Sequence, residues 1–313
     1  MNRRVNIFRR GESPQATARL ADATERLEHA GGLDRPIRVL SGAVRRVLRP
    51  GPVKDALHGV PVGHPAHAPL TDLPIGLWMS AAVLDLVPGT RRASQVLVAA
   101  GLAGAVPTVL TGIADWSALH REQQRVGLVH AAGTATASML YSASLVARYQ
   151  GRDAAGRAFG FAGLSALVAG AYLGGHLAFR QAAGASHADQ LAHLVPLGWH
   201  DLCAVEDLPD GWPVARRLGY IDLFVLRQGE EVHVLADRCS HLAGPLHQGR
   251  VLTDDGADTC VVCPWHGSTF RVADGSVVHG PPRPASRPSR PASPRTAPSR
   301  SARSDVSGLK ASI

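Results

Sequence analysis

Two short motifs in the C-terminal third of the chain bring together residue types that bind metals. Cys239-Ser-His241 and Cys263-Pro-Trp-His266 are separated by 21 residues. Two thiolates and two imidazoles can hold a tetrahedral zinc ion, or a [2Fe-2S] cluster with both Cys on one iron and both His on the other. Zinc fingers usually pair Cys with Cys and His with His. Because each motif here supplies one of each, the order favours a cluster bridging two loops.

The sequences that carry these motifs resemble a known pair of cluster-binding loops. CSHLAGPLHQG, which starts at Cys239, and CPWHGSTF, which starts at Cys263, resemble the loops of Rieske ferredoxins and ring-hydroxylating oxygenases. The resemblance covers about residues 195–282. It implies that Cys239 and Cys263 hold the inner iron and that His241 and His266 hold the outer iron. It also implies that the two histidines lie nearest the surface, where electrons enter and leave.

Small residues near the ligands also match residues of the Rieske loops. Gly244 and Gly267 match glycines that let the loops fold tightly, and Ser268 matches a hydroxyl that can donate to cluster sulfur. Rieske proteins of respiratory cytochrome bc complexes carry a further Cys in each loop, and this chain has none there. We therefore expect a site without a disulfide. We expect Cys203 and Cys260 to be free, partly buried thiols.

The region around the motifs has the pattern of a small antiparallel β domain. Short runs alternate or are apolar, and Gly-containing turns such as Asp274-Gly275 separate them. The predicted strands are Tyr220–Arg227, Glu231–Ala236, Cys260–Val262 and Ser276–Val278. Residues 283–313 are rich in Pro, Ser and Arg and are predicted to be disordered. The resemblance implies one or two further strands after residue 280, which close the sheet of the family's fold. No strand is predicted there in this sequence.

The middle of the chain has the composition of membrane-spanning helices. Charged residues make up only 19% of the chain. Three runs of 21, 22 and 22 residues contain none, which is enough to cross a hydrocarbon core: Ala93–Ile113, Val126–Ala147 and Ala158–Phe179. The shorter segment Leu73–Val87 contains Asp85 and needs its neighbours to span. The pattern predicts a bundle of four transmembrane helices, with a soluble bundle of buried helices as the alternative.

Histidines and acids gather at one end of the predicted bundle. Antiparallel threading places His64, His67, His130 and His176, with Asp72 and Asp115, on the membrane face that carries the β domain. Ionisable groups within a membrane suggest function. His130 and His176 could be axial ligands of haem b, or could join His64 and His67 in a second metal site. The residues could also form a quinone or proton site, or be interfacial histidines bonded to carbonyls and headgroups.

A second resemblance covers this helical region. GHPAHAPLTDLPIGLWMSAAVLDL, TGIADW and YLGGHL resemble an uncharacterised bacterial membrane-domain family, the domain of unknown function 2231, over about residues 58–180. Members fused to Rieske modules occur. This resemblance implies membrane topology and no particular activity.

The net charge of +8 is concentrated at the two ends of the chain. Residues 1–60 carry twelve Lys and Arg against six acids, and residues 281–313 carry seven against one. Neither end has interleaved aromatics, so no nucleic-acid partner is expected, and an N-terminal arm on anionic lipid is favoured. Residues 1–60 show no signal peptide. Four spans and the Arg-rich N-terminus predict a multi-pass protein of the cell inner membrane with a cytoplasmic β domain.

Together these patterns predict an α + β multidomain protein. Its parts are a basic N-terminal arm, a four-helix membrane domain, a Rieske domain and a disordered tail, at residues 1–60, 61–182, 195–282 and 283–313. The predicted function is one-electron transfer with a reductase, an oxygenase or quinone, as a component of an oxidoreductase system. No catalytic nucleophile, nucleotide loop or mononuclear iron triad indicates a complete enzyme. The alternatives are a membrane oxidoreductase with haem or quinone in the bundle, and a cluster-based redox sensor.

Overall fold

The computed structural model describes residues 15–188, 191, 194, 198–253 and 258–280, together with the backbone of two short strands nearer the C-terminus. The described residues form seven α-helices followed by ten β-strands. The helices are α1 (Gln15–Glu28), α2 (Asp34–Val47), α3 (Pro52–His58), α4 (His67–Leu84), α5 (Arg91–Ser117), α6 (Arg121–Tyr149) and α7 (Asp153–Gly175). The strands are β1 (Trp199–Ala204), β2 (Val214–Leu218), β3 (Ile221–Gln228), β4 (Glu231–Ala236), β5 (Arg250–Leu252), β6 (Cys260–Val262), β7 (Thr269–Arg271), β8 (Val277–His279), β9 (Arg290–Pro291) and β10 (Gly308–Ser312).

The four long helices α4 to α7 pack as one bundle. α4 and α6 each contact both α5 and α7. In the bundle core the Trp78 and Tyr141 rings stack, with centroids 4.2 Å apart and planes 11° from parallel. Glycine permits this packing, because a Cβ at Gly163 would lie 3.1 Å from the Tyr141 ring. The helices predicted from the uncharged runs therefore pack around a single core.

Two of these helices are long and apolar enough to cross a membrane, among the residues that the structure describes. They are Arg91–Ser117 and Asp153–Arg180, and only 33% and 22% of their most apolar stretches are buried. α4 has 18 residues and α6 is interrupted by Gln, Ser and Thr, and neither meets the same criterion. The expectation of four membrane spans is thus supported for two helices.

The bundle exposes large apolar side chains around its outside. Each of the following is more than half exposed: Met79, Val83, Val96, Val106, Met139, Val146 and Val168. Several polar residues face inward instead, including Ser94, Thr111 and Ser144, which are at most 4% exposed. The bundle therefore has an apolar core and, in addition, a large apolar area on its outside.

The segment predicted as a basic arm folds onto the bundle. α1 contacts α6, α2 contacts α5 and α6, and α3 contacts α5. Arg125 of α6 donates to both carboxylate oxygens of Asp34, at 2.8 and 2.9 Å. Nε2 of His176 lies 2.6 Å from the Glu28 carboxylate. Residues 15–58, which the sequence pattern assigned to a basic arm, therefore pack against the bundle through these contacts.

The β domain is built on the hairpin of β3 and β4. β2, β3 and β4 form one antiparallel sheet, and β5 to β8 form another. Because side chains alternate along a strand, β3 contributes to two cores. Leu223 and Val225 pack in one core, and Phe224 and Leu226 pack in the other. The second core also contains the cysteines of both metal-binding motifs, so the loops that carry them are anchored in the domain interior.

The end of the chain contributes strands that were not expected. β10 pairs antiparallel with β1, Trp199 lying opposite Ser312, and β9 pairs with β10. β1 therefore has a strand partner from the part of the chain in which the sequence pattern predicted no strand. The rest of the predicted disordered tail, residues 283–313, lies outside the described residues.

Candidate metal centre

The two Cys-His motifs fold into loops with the same backbone hydrogen bonds. In the first loop Cys239 N donates to Gly244 O at 2.8 Å, and Ala243 N donates to Cys239 O at 2.8 Å. In the second, Cys263 N donates to Ser268 O at 2.8 Å, and Gly267 N donates to Cys263 O at 3.1 Å. Each loop therefore turns back on its own cysteine four and five residues later. The turn is made at the fourth residue after each cysteine, which has positive φ, 62° at Ala243 and 75° at Gly267.

The loops bring the two cysteine sulfurs together in the interior. Cys239 is 1% exposed and Cys263 is 3% exposed. The thiols share a hydrogen bond, which raises the pKa of Cys239 and lowers the pKa of Cys263 to about 7. Hydrogen bonds from the backbone N–H groups of Trp265 and His266 also lower the pKa of Cys263. A pair of thiols that already shares one proton is suited to binding metal as thiolates.

The two histidines of the motifs also pair with each other. The His241 and His266 rings have centroids 5.1 Å apart and cross at 82°. Burial lowers the pKa of His266 to about 4, and the nearby His120 and Arg45 contribute to the lowering. Its imidazole is therefore neutral near pH 7, which is the form that binds metal. The order along the chain is Cys, His, Cys, His, but in space Cys lies with Cys and His with His.

The surroundings of the four side chains fit an iron–sulfur cluster. Ser240 and Ser268 are 1% and 0% exposed, and among the described residues their hydroxyls have no hydrogen-bond partner. Hydroxyls in such positions can donate to the sulfur atoms of a cluster. A Cβ at Gly244 would lie 2.7 Å from the Cys263 sulfur, so this position needs glycine. The four cysteines form no disulfide, and Cys203 and Cys260 are partly buried thiols outside the site, as predicted.

Comparison with known proteins agrees with this geometry. The Rieske [2Fe-2S] domain family matches residues 198–292. The anthranilate 1,2-dioxygenase ferredoxin subunit of Burkholderia cepacia is 35% identical over 78 residues, covering 25% of this chain and 68% of that protein. Ferredoxin CarAc of Metapseudomonas resinovorans is 33% identical over 85 residues, covering 26% of this chain and 74% of that protein. The chain belongs to the Rieske [2Fe-2S] family.

The helical region has its own family match. The family described as predicted membrane protein (DUF2231) matches residues 63–187, so the chain joins a DUF2231 domain to a Rieske domain. Among solved structures, the ferredoxin of carbazole 1,9a-dioxygenase from Nocardioides aromaticivorans IC177 is 19% identical. The match covers 36% of this chain and 96% of that chain, with a TM-score of 0.30. A Rieske domain implies a [2Fe-2S] cluster, and the one-electron chemistry that goes with it.

A buried acid near the first loop was not identified from the sequence. Asp237 is 6% exposed and accepts a hydrogen bond from the His247 backbone N–H at 2.6 Å. The His247 ring donates to its other oxygen, and Leu246 N donates to the Asp237 carbonyl at 3.1 Å. These bonds tie the start of the Rieske loop to its end, and thereby fix the position of Cys239 between them. The signal was available in the sequence as an acid two residues before the first ligand.

The helical domain contacts the histidine edge of the Rieske site. His120, at the start of α6, has its ring 5.3 Å from His266 and 5.7 Å from Trp265. Asp55 of α3 accepts hydrogen bonds from His279 and Gly280 at the end of β8. Sequence reasoning missed both His120 and Asp55, because their partners lie more than 140 positions away.

The histidines proposed for a second site have separate partners. His67 Nδ1 lies 2.9 Å from Thr108 O, and His130 Nδ1 lies 2.8 Å from Gly170 O. His176 pairs with Glu28, and His64 Nδ1 lies 3.3 Å from Pro65 O at an exposed position. Within the described residues, no group of three or more His, Cys, Asp or Glu side chains is close enough to hold a single metal ion. The contacts match the interfacial alternative, in which such histidines bond to carbonyls, better than a haem or metal site.

Proposed function

We propose that this protein is a membrane-anchored one-electron carrier whose [2Fe-2S] cluster is held by Cys239, His241, Cys263 and His266. The observation that carries this proposal is the pairing of like side chains in space. Cys239 and Cys263 are buried in the same core, and the His241 and His266 rings lie 5.1 Å apart, although the ligands alternate along the chain. Two thiolates at one end and two imidazoles at the other suit two separate irons better than one zinc ion.

The chain's own residues would set the properties of this site. Cys239 and Cys263 would hold one iron, where their thiolate charges are shielded from water. His241 and His266 would hold the other iron, on the side that meets α6. His241 is 1% exposed, so it does not lie near the surface as the resemblance implied for both histidines. The buried hydroxyls of Ser240 and Ser268 would donate to sulfur, and such bonds stabilise added negative charge. When bound, the cluster supplies the transfer of single electrons.

Two observations support membrane anchoring. The DUF2231 family is described as a predicted membrane protein family. α5 and α7 are apolar, long and mostly exposed, as expected for helices that face lipid. We propose a multi-pass protein of the cell inner membrane, with the Rieske domain on the cytoplasmic side together with the Arg-rich N-terminal helices.

The proposed partner is a redox protein. The relatives in Burkholderia cepacia and Metapseudomonas resinovorans are a dioxygenase ferredoxin subunit and a ferredoxin. By analogy, this chain would exchange electrons with a reductase or an oxygenase. The contacts of His130 and His176 give no support to haem in the bundle.

The test is spectroscopic and uses the four cysteines as an internal comparison. Purified full-length protein should contain two irons and two acid-labile sulfides per chain, and should show the EPR signal of a reduced cluster with mixed Cys and His ligands after dithionite. Cys239→Ser and Cys263→Ser should abolish the signal. Cys203→Ser and Cys260→Ser should leave it intact. One equivalent of zinc in place of iron, or a signal that survives Cys263→Ser, would contradict the proposal.

A further inference from the structure

Asp55 of the helical domain makes two hydrogen bonds to the Rieske domain, and the residue is only 8% exposed. One carboxylate oxygen accepts a bond from Nδ1 of His279 at 2.8 Å, and the other accepts one from the backbone N–H of Gly280 at 3.1 Å. The acid and its partners are 224 and 225 positions apart in sequence. The bond from Gly280 is buried, and a buried charge-assisted hydrogen bond holds its donor more firmly than a surface ion pair does. The His279 side chain is 54% exposed, so its bond is the weaker of the two.

The segment held by Asp55 lies against the second metal-binding loop. Gly280 has φ of +98°, and a Cβ there would lie 3.0 Å from Cα of Ser268. Ser268 is fully buried, and its carbonyl oxygen closes the loop by accepting a hydrogen bond from the backbone N–H of Cys263. Gly280 therefore packs directly against this loop, and Asp55 holds it there from outside the Rieske domain.

We propose that Asp55 is a positioning residue of the cluster site, supplied by the helical domain. It holds the segment His279–Gly280 closed over the second loop, and it adds a fixed negative charge beside the site. This rests on the proposed ligand set. The cluster site is then a composite of both domains, in which the Rieske domain alone lacks one element of its cover. The His120 ring against His266 belongs to the same docked surface.

The negative charge of Asp55 and the burial that His279–Gly280 provides both lower the reduction potential of the cluster. Reduction adds negative charge to the cluster, so a nearby carboxylate disfavours it. Burial disfavours it too, because a low-dielectric environment opposes the more highly charged state. Removing Asp55 therefore raises the midpoint potential by both routes. A purely structural role far from the site would leave the potential unchanged.

The experiment compares Asp55→Asn with Asp55→Glu and with Asp72→Asn in the full-length protein. Asp72 is an exposed acid on α4, in the same domain, and provides the matched control. Hydrogen exchange of the peptide that spans β8 and Gly280 should become at least about tenfold faster in Asp55→Asn, the factor expected for loss of a charge-assisted hydrogen bond. EPR-monitored redox titration should give a higher midpoint potential. Asp55→Glu keeps the charge and should shift the potential less.

The outcomes separate this proposal from the proposed function. If exchange and potential in Asp55→Asn match those in Asp72→Asn, the positioning role is wrong even though the cluster signal is present. If the wild-type protein has no cluster signal, the proposed function fails. Should Asp55→Asn fail to accumulate, His279→Ala removes the side-chain donor, and with it one of the two bonds, from the other side. It should accelerate exchange in the same peptide, and unchanged exchange there would also overturn the proposal.

Discussion

Ala243 and Gly267 occupy equivalent positions in the two metal-binding loops, and both have positive φ, 62° and 75°. Only glycine adopts this conformation without strain. There is room for a side chain at Gly267, since a Cβ there would meet no atom within 4 Å. Gly244 has no positive φ, but a Cβ there would collide with the Cys263 sulfur. The two glycines are thus required for different reasons, one conformational and one steric.

Alanine substitutions should separate these two reasons. Gly267→Ala should reduce the free energy of unfolding by about 1 kcal/mol through backbone strain, and should still permit cluster loading. Gly244→Ala places a methyl group 2.7 Å from the Cys263 sulfur, so it should prevent loading. The iron content of purified protein and its thermal unfolding midpoint measure the two effects. Equal iron content in both variants would contradict this account of Gly244.

The four proposed metal-binding residues can be named from the sequence because the information is local. Each loop contains both of its ligands within four residues, so residue type and spacing are sufficient to identify them. Asp55 and His120 were not predictable in this way. They reach the site only because two domains dock, and no periodicity in α3 or α6 marks a contact with a distant loop. The acid Asp237 is an intermediate case, near a ligand in sequence but without a motif of its own.

At the level of elements, α4 shows how a bundle accommodates proline. Pro74 has no N–H, so the carbonyl of Leu70 loses its partner within the helix. The Thr108 hydroxyl of α5 lies 2.9 Å from this carbonyl and 2.9 Å from the Gly104 carbonyl of its own helix. The helix therefore continues through Pro74 because its neighbour supplies a donor.

Removing this donor should weaken the contact between α4 and α5. Thr108→Val keeps the shape of the side chain and should reduce stability by about 1 kcal/mol, since it leaves the partly buried Leu70 carbonyl without its donor. Thr136→Val is the control, because the exposed Thr136 hydroxyl bonds only within its own helix, to Ala132 O at 2.8 Å. Thermal unfolding in detergent measures both. Equal midpoints for the two variants would show that the bond to Leu70 has no net effect.

The docking of α2 on α6 should depend on pH. The hydrogen bonds from Arg125 hold the pKa of Asp34 below its ordinary value of 3.8. The folded state therefore favours the carboxylate, and the pairing stabilises it fully above pH 3.8. This contribution is lost as the pH falls through the lower pKa of the folded state. Wild-type stability in acid should decline accordingly.

The part of the pH dependence that comes from Asp34 should vanish when this residue is replaced by a neutral one. Asp34→Asn should be less stable than wild type at pH 7, and the two should converge as the pH falls below 3.8. Asp22→Asn removes an exposed acid of α1 and should retain the wild-type profile. Denaturant midpoints measured across roughly pH 2.5–7, a range chosen to bracket the ordinary carboxyl pKa of about 4, provide the comparison. A constant difference between wild type and Asp34→Asn would contradict the linkage.

For the whole molecule, the parts were more predictable from sequence than their assembly. β6 has the predicted bounds, Cys260–Val262, and the hairpin of β3 and β4 lies within one residue of its prediction. These elements depend on local alternation and turns. The pairing of β1 with β10 joins residues more than 100 positions apart. Composition alone had suggested no strand near the C-terminus, because strand formation there depends on a distant partner and not on the segment itself.

An ion pair joins Asp85, the residue that follows α4, to Arg148 of α6. Arg148 donates to both carboxylate oxygens of Asp85, and these side chains are 1% and 4% exposed. Ser94 Oγ donates to the same carboxylate at 2.7 Å. Neither α4 nor α6 is apolar enough to meet the criterion for a span. The charges of Asp85 and Arg148 can be buried in the bundle because they neutralise each other. Burying one of them alone would cost several kcal/mol of desolvation free energy, both in protein and in lipid.

A double-mutant cycle at this pair should therefore be strongly non-additive. Asp85→Leu and Arg148→Met should each reduce bundle stability by about 3–5 kcal/mol, since each leaves one charge buried without its partner. The double variant has no unpaired charge and should be more stable than either single variant. Arg152→Met, at an exposed position, should have little effect. Thermal unfolding in detergent provides the stabilities of the wild type, the two single variants and the double variant. If the double variant loses the sum of the single losses, the two charges act independently and α4 and α6 do not depend on this pair to assemble.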